Sequence, residues 1–336
     1  MSPRAAIYNQ KGKVQRYYWR EITKTYYESL LTWSRPLGIS IASIMQVEAD
    51  YPAETQELKK AARRVWQQRH KVEPKYDMSE RTPAQFLAEV PVPEIEVEAE
   101  YVSEQRAEAV VGKWRLNSTD TGSAEDVAAM HYRSLGFDVY RCERKLISML
   151  VAVLLWPVIQ DLDDPEVQMV MRGSTVGWRP DVSTQLIQFP LPRDFASAAY
   201  YDRREAEFEA WLAELEAAED LETIFESCLA GAETLRDYLW VAEEDARQLA
   251  RAALSSIPSD VILTMVRWAI RDFWNRQPGW PDLLVLGQNG YRFSEVKSPN
   301  DKLSLEQMRW FEWALVEREN ALPCEICRVV RKVNGS

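Results

Sequence analysis

The chain has 336 residues with 41 lysines and arginines against 52 aspartates and glutamates, a formal charge of −11. That balance excludes a protein that coats nucleic acid over its whole surface, because such binding neutralises many phosphates, yet it leaves room for a local basic groove. Four scattered cysteines and two histidines exclude a disulfide framework and argue against a histidine metal site or a Ser-His triad. The length suits one large domain or two with an ample core.

In chain order, residues 1–75 read as a helical region. A basic aromatic segment is followed by a break at Pro36-Leu37-Gly38 and a helix-like stretch from Ile39 to His70. Lys59, Lys60, Arg63 and Arg64 recur there at helical spacing. They make either a phosphate-contacting stripe, with Tyr17, Tyr18 and Trp19 to stack on bases, or a solvated face beside a small aromatic core. The solvated face is the expectation. Residues 76–122 read as an acidic linker: Glu94, Glu96, Glu98 and Glu100 alternate with Ile95, Val97 and Ala99. That alternation permits an edge strand, but flanking prolines and like charges favour an exposed connector.

Ser123 is placed to cap a helix running to Ser134, with Val127, Ala128, Met130 and His131 as its inner positions. Gly136 ends it, and Phe137 to Cys142 reads as a strand. An apolar helix over residues 145–160 follows, its run from Leu146 to Ile159 too short to span a membrane. No signal peptide is apparent, so a cytoplasmic protein is expected. Gly173 to Pro192 is rich in turn residues, and Ala206 to Phe273 is helical in pattern, with Trp211, Leu212, Leu215, Leu235, Leu239 and Trp240 as core candidates.

Chemistry concentrates near the end of the chain. Leu283 to Leu286 and Tyr291 to Val296 are β-prone runs joined through Gly287-Gln288-Asn289-Gly290, the signature of a hairpin. With a period of two, Phe293, Glu295 and Lys297 share a face, and Asp282 enters the partner strand on that same side. Two carboxylates are hard ligands for magnesium or manganese, and an adjacent lysine can orient a water or offset charge on a phosphate. The carbonyl of Val296 is a further candidate ligand. A final helix begins at Ser304 and carries Gln307 one turn in, where its amide can orient water or phosphate near Lys297; Leu305, Met308, Trp310, Phe311 and Leu315 supply its apolar contacts. Cys324 and Cys327 lie in a β-like run, where residues three apart face opposite sides, so a zinc pair is not expected.

Pro281-Asp282, Glu295-Val296-Lys297, the following SPNDKLS and Gln307 together resemble the VRR-NUC branch of the PD-(D/E)xK superfamily, closest to the Fanconi-associated nuclease module. The resemblance runs from about Ser123 to Lys332, with a helical insertion at about 200–273 inside a nuclease domain of residues 123–334. It implies an α/β restriction-endonuclease-like core, a small mixed sheet flanked by helices, and a metal site of Glu125, Asp282, Glu295 and Val296. Lys297 and Gln307 then assist catalysis, and Arg141, Arg144, Lys145, Lys302 and Arg309 are the candidate DNA contacts. Without the resemblance, Glu125 reads as a residue complementing a helix dipole. Glu143 also matches a family glutamate, though a salt-bridged helix start is the simpler account. Ser298 stands where the family has glycine, and no likeness covers the amino-terminal part.

The implied function is a metal-dependent nuclease acting on branched or flapped DNA, as an endonuclease or a 5′ exonuclease, in DNA processing or repair. One alternative is an exported antibacterial effector with an immunity or regulatory protein as partner. Another is a non-catalytic DNA-binding module on the same fold.

Overall fold

The structure is a computed structural model describing residue 26 and residues 29–30, 32–37, 44–72, 81–106, 109–172, 187–288 and 290–332. The chain divides into two compact units, Met1–Asp77 and Met78–Ser336.

In the first unit the helix expected over residues 39–70 is two helices, Ile44–Asp50 and Pro52–Val72. The break falls at Tyr51, because Pro52 lacks an N–H and is tolerated only in a first helical turn. Tyr26, Leu30, Val47 and Ala62 form a small core. Lys59 is committed within this unit: its ammonium lies 2.6 Å from Glu48, which also accepts a 2.9 Å hydrogen bond from the Tyr26 hydroxyl. Lys60 pairs with Glu57 at 2.6 Å. The solvated-face reading therefore fits both lysines; the side chains of Arg63 and Arg64, and Tyr17 to Trp19, lie outside the described residues.

The second unit is built on one five-stranded mixed sheet. In chain order its strands, with two smaller sheets, are β1 (Glu94–Ala99), β2 (Tyr101–Arg106), β3 (Ala109–Arg115), β4 (Thr121–Gly122), β5 (Asp138–Arg141), β6 (Val167–Arg172), β7 (Ile187–Pro192), β8 (Leu283–Gly287), β9 (Gly290–Lys297) and β10 (Cys324–Arg331). The main sheet has the order β1-β10-β9-β8-β5. β1 and β9 run parallel to β10, while β8 is antiparallel to both β9 and β5.

The stretch expected to be an exposed connector is thus structured. Thr82 caps the helix Pro83–Glu89 through a capping box with Gln85, and β1 completes the sheet at its edge. An edge strand tolerates the flanking prolines because it needs donors on one side only. Its glutamates point outward while Val97 and Ala99 are buried, and Glu94 receives a bidentate pair from Arg328 at 2.6 and 2.8 Å. The region read as irregular after Gly173 also ends in a strand, β7, paired with β6; residues 173–186 lie outside the described residues.

The sheet separates two cores. One face, with Leu283, Val285, Val296, Cys327 and Val329, packs on the helix Ala124–Ser134 through Val127, Ala128 and Tyr132. Met130 is exposed and His131 half-buried, so the inner stripe is rotated towards Tyr132 from the one expected. The other face, with Leu284, Leu286, Phe293, Cys324 and Ile326, packs on the helix Glu143–Leu154 and the helices from Ala198 to Arg276. Cys324 and Cys327 indeed lie on opposite faces. Trp211 and Trp240 are only half-buried at the rim of the helical layer, and Leu305 is exposed.

Candidate active site

The hairpin forms as its alternation requires. Leu283 pairs with Ser294, Leu284 with Phe293 and Gly287 with Gly290. That register brings Asp282 level with the end of β9, where its Oδ2 accepts a 2.8 Å hydrogen bond from the Val296 N–H. On the other side the Asp282 carbonyl accepts from the Cys142 N–H at 2.7 Å, which extends the β5–β8 ladder to the residue before Glu143.

Glu295 and Lys297 point into the helical layer and are almost fully buried, at 1% and 7% exposure. Their ion pair is 2.7 Å. Gln307 bridges them: its Oε1 accepts from Lys297 Nζ at 2.9 Å, and its Nε2 donates to Glu295 Oε1. The same Oε1 accepts from the Ser304 N–H at 2.9 Å as half of the capping box that starts the helix Leu305–Glu312. One amide therefore caps a helix and locks the Glu295–Lys297 pair.

The close approach of that helix to the hairpin depends on Gly279. Its φ is +88°, and a Cβ there would lie 2.3 Å from the Glu306 carbonyl group and 2.7 Å from the Gln307 nitrogen. Gly279→Ala is expected to cost about 2–4 kcal/mol through left-handed strain and the forced shift of the first helical turn. Activity should fall with it, measured by urea unfolding beside cleavage. Wild-type stability in that variant would contradict the account.

Electrostatics single out the carboxylates. Burial, opposed by the Val296 N–H and assisted by repulsion from Glu125 and Glu143, raises Asp282 to about 6. Burial, then repulsion from Asp282, raises Glu295 to about 8 despite Lys297. Glu295 Oε2 is buried without a hydrogen-bond partner. An orphaned carboxylate oxygen facing other carboxylates is a donor set that a divalent cation satisfies. Among the described residues no three His, Cys, Asp or Glu side chains are drawn together as closely as an ion would hold them.

Glu125 lies in the first turn of the helix Ala124–Ser134, capped by Ser123. Glu143 stands beside these carboxylates at the start of its own helix. It opens its helix at φ +37°, a strained conformation for a side chain other than glycine, and it acts electrostatically on both Asp282 and Glu295. The salt bridge expected for it is absent among the described residues; only its resemblance to a family glutamate pointed here.

The candidate DNA contacts divide. Arg141 is held by Asp126 at 2.5 Å, by Ser123 Oγ at 3.2 Å and more loosely by Glu125 at 3.8 Å, so it ties β5 to the start of the Glu125 helix. Arg144 lies 5.7 Å from the Trp240 ring centre, and Lys145 pairs with Asp245. Lys302 is exposed beyond the hairpin, and Arg309 is half-buried in the last turn of the helix Leu305–Glu312. Arg203 and Arg204 converge on buried Asp164, with Arg203 at 2.9 Å and Arg204 at 3.4 Å, and are internal pairs.

A mixed sheet flanked by helices, with two carboxylates and a lysine at the end of its central hairpin, is a PD-(D/E)xK-type nuclease fold. Residues 218–331 match the VRR-NUC domain. It is similar to Fanconi-associated nuclease 1 of Homo sapiens, 30% identical over 229 residues that cover 62% of this chain and 19% of the relative. Fanconi-associated nuclease 1 of Danio rerio is 29% identical over 225 residues, covering 62% and 20%. The homolog from Pseudomonas aeruginosa is 30% identical over 215 residues, covering 62% and 34%. The chain thus spans 19–34% of the length of these relatives. In fold it is similar to paFAN1 bound to a gapped DNA with a 2-nucleotide 5′ flap, at a TM-score of 0.50 and 20% identity over 86% of this chain and 45% of that one. Among the described residues no helix is long and apolar enough to cross a membrane.

Proposed function

We propose that this chain is a metal-dependent, structure-selective DNA nuclease that hydrolyses phosphodiester bonds. The observation that carries the reading is the buried Asp282, Glu295, Lys297 and Gln307 cluster, in which both carboxylates are pushed up and Glu295 Oε2 has no partner. Asp282 and Glu295, with Glu125, Glu143 and the Val296 carbonyl, are the groups that would hold magnesium or manganese. When bound, such an ion supplies an acidified water and offsets charge on the phosphate.

The chain's residues do the rest. Lys297, fixed between Glu295 and Gln307, presents its ammonium where an attacking water or a phosphate oxygen is oriented. Gln307 shares that ammonium with Glu295, accepting from it at 2.9 Å. Lys302, exposed beyond the hairpin, is the candidate of this set that would reach the DNA backbone; Arg309 is half-buried, and Arg141 serves the fold of the Glu125 helix instead. A binding module gains nothing from clustered carboxylates that repel phosphate, which argues against the non-catalytic reading.

A preference for flapped or branched DNA, in DNA processing or repair, follows the named relatives and the flap-bound neighbour. No feature of the described residues favours the effector reading or its immunity partner. The test compares a 5′-flap substrate with plain duplex, in manganese and in chelator. Metal-dependent cutting, faster on the flap, is expected. Binding without cleavage in either ion would overturn the proposal. Damage to the chromosome on bacterial expression, absent in Asp282→Ala, with no flap selectivity in vitro, would move the role to the effector.

A further inference from the structure

The small sheet β2-β3-β4 carries an arginine laid over a ring. Tyr101 opens β2 and lies directly opposite Trp114 of β3; the two rings meet edge to face with centres 5.1 Å apart. Trp114 is buried, whereas Tyr101 is 38% exposed. The Tyr101 side chain extends over Gly112, its diagonal neighbour across the ladder, where a Cβ would come 1.6 Å from the hydroxyl oxygen and 2.2 Å from Cζ. The ring therefore lies on bare backbone, and it needs a glycine there to do so. Arg331, the last residue of β10, lies over this ring with its guanidinium carbon 4.3 Å from the ring centre.

Arg331 differs from the arginines around it. Arg328 of the same strand is spent on Glu94 at 2.6 and 2.8 Å, and Arg115 is spent at 2.7 Å on Glu100, the residue before Tyr101. Arg331 is exposed, and among the described residues no carboxylate pairs with it and no group accepts a hydrogen bond from its guanidinium. The backbone beneath it is fixed, because the Lys332 N–H donates to the Ala99 carbonyl and the Arg115 N–H to the Glu100 carbonyl, both at 2.9 Å. A ring face attracts a cation without using any of its N–H groups. The guanidinium is thus oriented with its whole donor fork unspent, and that fork matches two oxygens of a phosphate. An arginine ordered in advance loses less side-chain freedom on binding than one that is free to rotate.

Its place in the sheet gives the fork a use. Arg328 lies level with Lys297 in the ladder between β10 and β9. Arg331 comes three residues later in the same direction, about 10 Å further on at ~3.3 Å per residue. Alternation sets it with Cys327 and Val329, on the face that the Glu125 helix covers. Tyr101, Trp114 and Gly122 form one row across the small sheet, and Gly122 leads straight into Ser123, the cap of that helix. The pair thus stands just past the end of the sheet that carries Lys297, on the side of Glu125.

We propose that Arg331 is a DNA-backbone contact and that Tyr101, seated on Gly112, is the positioning residue that presents its guanidinium to a phosphodiester. At about 3.4 Å per nucleotide of one strand, that phosphate is about three nucleotides from the scissile bond. The choice of DNA rests on the nuclease reading.

The test measures flap-DNA affinity of the full chain without divalent ion, across a range of salt. Arg331→Gln should weaken binding about 5- to 10-fold and reduce the slope of log affinity against log salt by about one. Tyr101→Leu, which keeps an apolar cover but has no ring face, should weaken binding about 2- to 5-fold although no charge is lost. Tyr101→Phe should restore wild-type affinity. Gly112→Ala, which pushes the ring aside, should behave as Tyr101→Leu. In an Arg331→Gln background the Tyr101→Leu change should cost nothing more, because the ring acts only through the guanidinium; a ring that served only the fold would cost the same in both backgrounds.

Unchanged affinity and slope in Arg331→Gln overturn the contact. Additive losses in the double variant, or a Tyr101→Phe variant as weak as Tyr101→Leu, overturn the positioning role. Wild type that binds flap DNA with the full pattern but never cleaves it in manganese sinks the nuclease reading and leaves the contact standing, whereas wild type that cleaves and shows none of the pattern sinks the contact alone.

Discussion

Asp282→Asn is expected to remove cleavage while making the metal-free protein more stable at pH 8, two effects of opposite sign from one side chain. Burial and the neighbouring glutamates raise the Asp282 carboxyl to about 6, so the folded state binds this proton more tightly than the unfolded chain does. The corresponding stability is fully present below the ordinary aspartate range and is lost as pH rises through about 6. Above that, ionised Asp282 costs the fold about 2–3 kcal/mol. Asparagine has no charge to bury and keeps an oxygen to accept the Val296 N–H. Urea unfolding in chelator should show the variant ahead by roughly that amount at pH 8 and little ahead at pH 4. Flap cleavage in manganese should fall about 10²–10³-fold or more, the scale of losing one preorganised charge-stabilising group. A variant less stable than wild type at pH 8 would mean that the carboxylate serves the fold.

Lys297→Met should cost about 10²–10³-fold in turnover without unfolding the protein at pH 7. Lysine removal leaves Glu295 at the bottom of the site with Gln307 alone. Lys297 lowers the Glu295 pKa, which burial and Asp282 already hold up at about 8. Without the ammonium it rises further, so Glu295 stays protonated at neutral pH and no naked anion is left inside. The fold survives for that reason. Metal ligation requires the carboxylate, so the manganese concentration for half-maximal cleavage should rise and should recover partly with increasing pH. A variant whose metal requirement and pH profile match wild type would show that the lysine has no hold on the ligands.

How much of this was visible beforehand depended on whether the determining contacts are local. The hairpin was legible because period-two alternation and a short glycine-flanked turn settle both register and face. That alone brought Asp282, Glu295 and Lys297 together. Gln307 was legible one step further, since Ser304 and Gln307 form a capping box whose spacing is local. β1 was misread because its partner, β10, lies more than 200 residues away in the chain, and its outward glutamates and flanking prolines look the same on a sheet edge as on a linker. The conformation of Glu143 was not legible because nothing in CERK announces a backbone at φ +37°. Arg141 and Lys145 read as free cations, yet Asp126 and Asp245 claim them from other elements. Basic residues on a surface are indistinguishable in sequence until their partners are placed.

The central claim is that Asp282 and Glu295 are a buried carboxylate pair that a divalent ion draws into full ionisation, and calorimetric titration of the metal-free protein with manganese tests it most directly. Run at pH 7 in two buffers of different ionisation enthalpy, the titration reads both binding and the protons released. Saturable binding with release of about one proton is expected, because Glu295 is raised to about 8 and must give up its proton to ligate. Asp282→Asn should abolish or greatly weaken that binding. Binding without proton release, or binding that survives unchanged in Asp282→Asn, would contradict the account.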